Sequence, residues 1–329
     1  MRAGERPRLP YLTPALLLAA PLSVALALSM GSVELNPVDV WNTLLGGGDD
    51  VAQTVVRELR LPRALAAFAV GGLLGLSGAL LQVLLRNPLA DPYILGVSGG
   101  AAVAALITIL LGLGGVWLLG NAFAGSLLST FLVFSLSRAN GAWTQNRLLL
   151  TGVVIAAGWG AVISFILAVS PASSLHSMLF WLMGDLSYAR HPLMGMAVLL
   201  AGLLGALALA RPLNLLARGD LAAAVLGEHP ARLRLAVYFL ASLLTATAVT
   251  LAGSVGFVGL IVPHALRLVS GSDHRRLLPN TVLLGGSFLV LADTVARTVV
   301  APTQLPVGVL TALLGVPVFL FLLAHTRNP

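Results

Sequence analysis

The amino-acid sequence predicts an all-α, polytopic membrane protein, for which the residues alone allow about eight to eleven transmembrane helices. Hydrophobic residues make up 58% of its 329 residues and charged residues 9%, whereas soluble proteins contain roughly 45–50% and about 25%. So few charges cannot cover a surface that faces water. The apolar residues also form continuous runs that are long enough to cross a hydrocarbon core about 30 Å thick. Composition and patterning therefore favour a single membrane domain over residues 1–329.

Ten apolar runs of suitable length follow one another along the chain. The third and fourth runs merge near residues 112–115 and the eighth is short, so the residues alone are compatible with about eight to eleven spans. We expect spans at about 12–32, 64–85, 94–113, 116–136, 148–169, 193–210, 233–252, 255–270, 279–299 and 306–325. The basic segment before the first span is also typical of a secretory signal peptide. Residues 12–32 are long for a signal peptide, however, and no clear small-residue cleavage site follows them.

The second span is followed by two closely spaced helix breaks. Gly71 and Gly75 lie about one turn apart in this span, a spacing that lets another helix pack backbone to backbone. The Asn-Pro pair at 87–88 and the Asp-Pro pair at 91–92 then predict a short irregular loop, because a residue before proline disfavours α geometry. Irregular backbone beside membrane spans is tolerated where protein or a water-filled path surrounds it. This pattern indicates a pore or transporter rather than a membrane anchor.

The basic residues exclude several classes of protein. All 19 of them are arginine, and a Walker A ATPase or a Schiff-base enzyme needs a lysine. The arginines are scattered between apolar spans, which disfavours nucleic-acid binding. The chain has no cysteine, so disulfides and thiolate metal sites are excluded.

The distribution of arginine predicts the orientation of the chain. With a cytoplasmic N-terminus, 14 of the 19 arginines fall in loops on the cytoplasmic side, in agreement with the positive-inside rule. We therefore expect both termini in the cytoplasm. The five arginines on the other side are Arg57, Arg60, Arg63, Arg190 and Arg297.

Several long motifs resemble one family of transport proteins. They are RLPR at 60–63, RNPLADPYILGVSGGA at 86–101, RPLNLLA at 211–217, GSVGFVGLIVPH at 253–264, DHRRLLP at 273–279, LADTVAR at 291–297 and LPVGVLTALLGVP at 305–317. In this order they are similar to the FecCD-type permeases, the membrane subunits of ABC importers for ferric siderophores, haem and vitamin B12. The resemblance begins at about residue 55 and implies the fold of a type II ABC importer permease, which usually has ten helices.

The resemblance also implies partners and a cargo. It predicts a transport subunit rather than an enzyme, binding no cofactor, with ATP and Mg²⁺ held by a separate ATPase. The expected assembly is a homodimer in the bacterial cytoplasmic (inner) membrane, with two ATPase subunits on the cytoplasmic face and a periplasmic or extracellular substrate-binding protein. Ferric siderophore ranks first as the commonest cargo of the family. Vitamin B12 and haem remain alternatives, and several downstream segments are most similar to the vitamin B12 permeases.

Three arginines are expected to dock the binding protein. In the vitamin B12 permeases of the family, the arginines of the matching motifs meet glutamates on the binding protein, and here they are Arg60, Arg63 and Arg297. The planar guanidinium group can bind a carboxylate through two hydrogen bonds. In the alternative interpretation these side chains reach lipid headgroups or form local pairs with Glu58 and Asp293.

A basic loop at 211–232 is expected to contact the ATPase. Residues 219–230 predict a short helix that begins near an aspartate and ends at a glycine and a proline. Its position matches the coupling helix of the family, although an amphipathic helix on the membrane surface is the alternative. The implied coupling residues are Gly219, Asp220, Leu221, Ala222, Leu226, Gly227 and Glu228.

The resemblance also assigns the transport path. Two loops are expected to constrict its cytoplasmic end, with ordinary helix termination as the alternative; their residues are Asn87, Pro88, Leu89, Thr144 and Gln145. The fifth span is expected to line the path, with tight helix packing as an equal alternative. Its candidate residues are Gly152, Ala156, Gly160 and Ser164.

A rival function is ion-coupled secondary transport. Such transporters usually carry ionisable residues near the middle of the membrane, and Asp293 is the only clear carboxylate within a predicted span.

Residues 173–187 predict a helix at the membrane interface, with Trp181 at headgroup depth. His176 and His191 have no motif that supports haem ligation, so no metal site is expected.

Overall fold

The computed structural model describes residues 11–31, 33, 35–138, 144–188 and 192–325. Within these ranges the chain forms helices, turns and bends but no strand, which confirms the predicted all-α class. The helices are α1 (Leu12–Ser29), α2 (Pro37–Leu44), α3 (Asp50–Gln53), α4 (Leu61–Leu84), α5 (Val97–Leu110), α6 (Val116–Arg138), α7 (Gln145–Val169), α8 (Ala172–Met183), α9 (Pro192–Ala208), α10 (Ala210–Leu216), α11 (Asp220–Val225), α12 (Pro230–Ala252), α13 (Val258–Ser270), α14 (His274–Thr298) and α15 (Val307–His325). A π-helical segment (Thr54–Arg60) joins α3 to α4, and short 3₁₀ turns form at Pro92–Leu95 and Leu186–Tyr188.

Six helical segments in the described part of the chain are long and apolar enough to cross a membrane. They are α1, the continuous run from Asp50 to Leu84, α6, α7, α12 and α14. The α9–α10 pair, bent by 60°, makes a seventh if it is counted as one span, and α5, α13 and α15 are shorter apolar helices. A helix thus lies in each of the ten ranges expected from the sequence, but α5 begins at Val97 and α13 at Val258.

Helix α4 lies at the centre of the bundle, surrounded by α14, α12, α13 and α9. A Cβ atom at Gly71 would collide with the carbonyl oxygen of Gly285 on α14, and one at Gly78 would collide with that of Gly259 on α13. The predicted backbone packing at Gly71 is therefore confirmed. Small residues favour this approach because a bilayer gives apolar helices little hydrophobic drive to associate.

Hydroxyl groups join α12 to its neighbours across the apolar core. The Ser77 hydroxyl on α4 donates to the carbonyl of Ala241 at 2.8 Å and lies 2.6 Å from Thr245 Oγ1. The Tyr238 hydroxyl donates to the carbonyl of Thr130 on α6, also at 2.8 Å. These bonds satisfy polar groups that lipid could not.

Two irregular segments meet inside the bundle. The segment before α5 ends at Gly96, whose φ of 70° is left-handed, and the segment before α13 ends at Phe257, with φ of 69°. The Tyr93 hydroxyl donates to the carbonyl of Val255 and accepts from its amide, both at 2.9 Å. The break before α5, which the sequence predicted, is therefore tied to a second break before α13, which it did not predict.

The environment of Trp181 differs from the sequence-based prediction. Trp181 is only 3% exposed and packs in an apolar cluster with Met178, Ala101 and Val249. Protein therefore encloses the indole, which the interface prediction exposes to lipid headgroups, and the location of residues 173–187 at the membrane interface stays a prediction. The helix α8 folds onto α5, so protein rather than lipid covers the indole.

We expect Gly78→Ala to lower the midpoint of thermal unfolding in detergent. The new methyl group would overlap the Gly259 carbonyl, and overpacking a buried contact costs about 1–3 kcal/mol. At Gly120 on α6, a Cβ atom would meet no other atom within 4 Å, so Gly120→Ala is the matched control. Equal midpoints for the two variants would contradict the proposed role of this contact.

Candidate functional site

The expected site residues gather at the two ends of α4. The Asp293 end is the group formed by the last residues of α1, the first turn of α4 and the last turns of α14. The Asp220 end is the group formed by the end of α4 and the first turns of α7, α11 and α12. The expected docking arginines lie at the first end, and the expected gate and coupling residues lie at the second.

Asp293 holds two of the docking arginines. Its side chain is 2% exposed and accepts from Arg63, with Nη2–Oδ1 at 2.9 Å and Nε–Oδ2 at 3.0 Å. Arg297, one turn further along α14, forms an ion pair with Asp293 Oδ2 at 3.3 Å. A single buried carboxylate therefore orients two guanidinium groups, one of them through two hydrogen bonds.

Arg60 has a different set of partners. Its side chain is 4% exposed and donates to the carbonyls of Leu28 at 2.7 Å and Ser29 at 3.3 Å, and also to that of Val33. In the described part of the chain no ion pair joins Arg60 to Glu58, the local partner named in the alternative interpretation. Arg60 instead satisfies carbonyls at the C-terminus of α1, which have no intrahelical partner.

A cavity of about 650 Å³ lies at the Asp293 end. All three docking arginines line it, which places them in one depression of the surface. Sequence reasoning missed two further polar lining residues, Ser187 and Gln304, both of which accept hydrogen bonds from Arg63. No local motif marks these two residues, because only the fold brings them to Arg63.

Asp220 makes the main polar contacts of the expected coupling helix. It begins α11, and its carboxylate pairs with Arg86, just after α4, and with Arg234 on α12. Gly219 precedes the helix with φ of 119°, and Gly227 follows it with φ of 86°. Both values favour glycine. The short helix predicted at 219–230 is thus confined to Asp220–Val225.

The side of α11 and the following turn that faces away from the rest of the chain is apolar. Leu221 is 80% exposed, Val225 77% and Leu226 59%, whereas Ala223 is buried against the chain. Exposed apolar side chains of this size on a short helix indicate a surface that another protein or the membrane covers. Ala222 is half-buried, and Glu228 closes the segment with a hydrogen bond from its backbone amide to the carbonyl of Ala223 at 3.0 Å.

The expected gate residues lie beside the coupling helix. Gln145 Nε2 donates to the carbonyl of Leu84 at 2.9 Å, which ties α7 to the end of α4. Asn87 Oδ1 accepts from the amide of Leu89 at 2.9 Å, and the intervening Pro88 is exposed. Thr144 caps α7 by accepting from the amide of Arg147 at 3.4 Å.

Arg86 connects the gate loop to the coupling helix. It immediately precedes the gate loop, has φ of 48°, and pairs with Asp220. The sequence did not indicate this contact, since the two residues are 134 positions apart.

The four expected pathway residues of α7 do not share one environment. A Cβ at Gly152 would collide with the carbonyl oxygen of Ile94, so Gly152 is a packing position within the chain. Ala156 is half-buried, whereas Gly160 and Ser164 are exposed. Residues four positions apart advance by about 40° around an α-helix. Only the later members of the set therefore face away from the chain.

The described residues contain no group of three or more histidine, cysteine or acidic side chains that could hold a metal ion. His176 lies against Phe180, with ring centroids 4.4 Å apart, and His191 lies outside the described residues.

Near the Asp220 end, a hydrogen bond from Asn214 at 2.8 Å holds the pKa of Asp273 below its usual range.

Comparison with known proteins identifies relatives along almost the whole chain. The sequence matches the FecCD transport family over residues 17–325. The cobalamin import system permease protein BtuC of Halobacterium salinarum is 46% identical over 282 residues, which cover 84% of this chain and 75% of that protein. The hemin transport system permease protein HmuU of Yersinia pestis is 40% identical over 318 residues, covering 93% of this chain and 94% of that protein. The vitamin B12 import system permease protein BtuC of Escherichia coli is 39% identical over 320 residues and 93% of both chains.

Solved structures agree with this assignment. An inward-facing metal-chelate type ABC transporter superimposes with a TM-score of 0.86 and 33% identity, covering 96% of this chain and 99% of that chain. PsaBC from Streptococcus pneumoniae superimposes with a TM-score of 0.55 and 17% identity, which shows similarity of fold alone. The extended family match, the sequence relatives and the superposition lead to one conclusion: this chain belongs to the FecCD transport family of ABC transporter permeases.

Proposed function

We propose that the chain is the permease subunit of an ABC importer that moves a metal-chelate or corrinoid cargo from an external binding protein into the cytoplasm. Separate ATPase subunits supply the energy. The observation that carries this proposal is the contact between Asp220 and Arg86. It joins a short helix with an exposed apolar side directly to the loop expected to close the path.

The proposed orientation places the Asp220 end in the cytoplasm of a bacterium and the Asp293 end outside the inner membrane. Five exposed arginines on the loops and helix ends around α11 and α14 support it, since positive charge favours the cytoplasmic side. They are Arg211, Arg218, Arg232, Arg275 and Arg276. Both termini of the chain then lie in the cytoplasm.

The proposed assembly is a homodimer with its path on the two-fold axis. Helix α7 supports it, because Gly158 and Gly160 are exposed, with no atom of the described residues within 4 Å of a Cβ at either position, and small residues favour helix contact within a bilayer. A two-fold interface brings the same surface of both subunits together. The exposed Gly160 and Ser164 of α7 are then the best candidates for path-lining residues.

Helix α11 is the element that would couple the chain to the ATPase. Leu221, Val225 and Leu226 would enter a groove on the ATPase subunit, which would cover their apolar surface. Movement of α11 would then reach the gate loop through Asp220 and Arg86.

The large cavity at the Asp293 end is where the binding protein would dock. Arg63 and Arg297 line it with oriented guanidinium groups that can receive carboxylates of a partner. Arg60 would contribute by holding the end of α1, because its hydrogen bonds go to backbone carbonyls. Salt screens such contacts, so they direct encounter and orientation more than total affinity.

We propose cobalamin as the cargo to test first, with haem and a ferric siderophore as alternatives. A ferric siderophore ranks first only as the commonest cargo of the family, whereas several downstream segments resemble the vitamin B12 permeases. Two of the similar permeases are named for cobalamin or vitamin B12 and one for hemin. The rival function, ion-coupled transport, is disfavoured because Asp293 already pairs with two arginines. A carboxylate held in this way is a poor site for a coupling ion.

We expect ATP-dependent uptake of cobalamin by proteoliposomes that contain this chain, its ATPase and its binding protein. Haem and a ferric siderophore are the comparison cargoes, and vesicles without internal ATP are the control. Uptake of a different one of these cargoes would correct the cargo but keep the class. Uptake driven by a proton gradient without ATP would contradict the importer.

We expect Ser187→Glu and Gln304→Glu each to weaken association with the binding protein roughly tenfold at low salt, a change of about 1.4 kcal/mol. Arg63 donates to both positions, so each new carboxylate would compete with the partner's carboxylates for Arg63 and repel them, while the buried Asp293 is unchanged. Ser187→Gln, of similar size but neutral, is the matched control. If Glu and Gln at position 187 give the same affinity across a salt series, docking at this cavity is refuted.

We expect Asp220→Asn to separate ATP hydrolysis from transport. The amide cannot pair with Arg86 and Arg234 as the carboxylate does, so α11 would still contact the ATPase but move the gate loop less effectively. Uptake should fall roughly tenfold, a loss of about 1.4 kcal/mol, with hydrolysis largely retained. Asp39→Asn, the same substitution at an exposed aspartate on α2 near the other end of the bundle, is the matched control. A parallel loss of both activities would show that Asp220 serves assembly and not coupling.

A further inference from the structure

A second cavity lies at the Asp220 end, apart from the surface of the coupling helix. Its volume is about 200 Å³. Its walls come from the last turn of α4 and the following loop, the end of α10, and the turn between α13 and α14. The lining residues are Gln82, Val83, Arg86, Pro88, Ala217, Arg267, Ser272 and His274.

Arg267 brings an unneutralised positive charge to this cavity. It lies in the last turn of α13 and donates to the side-chain oxygen of Gln82 and to the carbonyl of Ala79, the latter at 3.2 Å. Both acceptors are uncharged, and no carboxylate pairs with Arg267 among the described residues. Since a partly buried charge is costly without a counter-charge, an anion in the cavity would stabilise this side chain.

His274 adds a buried hydrogen-bonding atom that has no partner. Its side chain is 1% exposed, and its Nδ1 lies 2.6 Å from Asn214 Oδ1, which also accepts from the His274 amide at 3.0 Å. An amide oxygen only accepts, so Nδ1 carries the hydrogen and Nε2 of the neutral ring is an acceptor. Nε2 is buried without a hydrogen-bond partner in the described part of the chain. A hydroxyl group on a ligand would satisfy it.

Arg86 supplies a second guanidinium group at the mouth of the cavity. One of its nitrogens pairs with Asp220, which leaves its other donors free for a ligand. None of the described residues that line the cavity is acidic, and the nearby Asp273 accepts from Asn214 and from the amide of Arg275. The lining is therefore positively charged and also contains the unpartnered acceptor His274 Nε2.

We propose that this cavity binds a phosphate group that carries a hydroxyl, with the headgroup of phosphatidylglycerol as the expected ligand. Guanidinium groups bind phosphate oxygens well, and the glycerol hydroxyl would donate to His274 Nε2. Helices α4 and α13 both end at this cavity, which places it at the boundary of the bilayer, where headgroup phosphates lie.

The bound headgroup would contact three separate elements of the fold. It would touch Arg86 at the start of the gate loop, Ala217 at the end of α10, and the turn between α13 and α14. The site goes beyond the proposed transport function and does not depend on the identity of the cargo.

The experiment measures the midpoint of thermal unfolding of the purified full chain in detergent. Phosphatidylglycerol at about tenfold its dissociation constant should raise the midpoint by about 2–4 °C, and phosphatidylcholine should not. Ser272→Asp and Ala217→Asp, each placing a carboxylate on an exposed lining position, should abolish the rise. Ser272→Asn is the matched neutral control, and Arg275→Gln removes an exposed arginine that does not line the cavity.

A parallel series with inorganic phosphate against chloride, at equal ionic strength, separates the two sources of the ligand. An equal rise with inorganic phosphate, lost in Ser272→Asp, supports a phosphate site that takes the free anion. An equal rise with phosphatidylcholine overturns the proposal, and so does a similar response of the Asp and Asn variants at position 272. A chain that responds to neither phosphate source overturns it as well.

Discussion

The close backbone contact of α4 with α13 and α14 is the constraint on which the rest of the structure depends. Within a bilayer, apolar side chains gain little by leaving lipid for another helix, so helices associate through close packing and interhelical hydrogen bonds. Gly71 and Gly78 allow this packing because they leave no side chain between the backbones. The contact fixes the height of both neighbours along α4. It thereby brings Asp293 to Arg63 at one end and Arg267 to Gln82 at the other.

The two ends of the bundle use ion pairs of different character. The Asp293 side chain is 2% exposed, whereas that of Asp220 is 42% exposed. Removing one partner from a buried pair leaves an uncompensated charge and is strongly destabilising, but exposed pairs contribute little and exchange readily with water. The Asp293 end is thus suited to present a fixed surface to a partner. The Asp220 end is suited to rearrange when a partner pulls on α11.

Much of the fold could be predicted from the sequence, because apolar length and proline pairs are local signals. The first residues of α5 and α13 were placed a few positions too early, since a 3₁₀ turn and the left-handed Phe257 precede these helices. The site could be predicted only as a set of residues. Which groups meet depends on contacts such as Arg63 with Asp293, which are 230 positions apart. For the same reason, the role of Arg60 in capping α1 had no local signal.

The hydroxyl of Tyr93 has a mechanical consequence. It forms two hydrogen bonds to one residue, Val255, and so fastens the break before α5 to the break before α13. These breaks are where the bundle can bend most easily, because the intrahelical ladder is interrupted there. If one of the two breaks is displaced, either the other break is displaced with it or both hydrogen bonds are lost. The Tyr93–Val255 contact therefore links α5 to α13, and we expect a change in the angle of one break to be transmitted to the other.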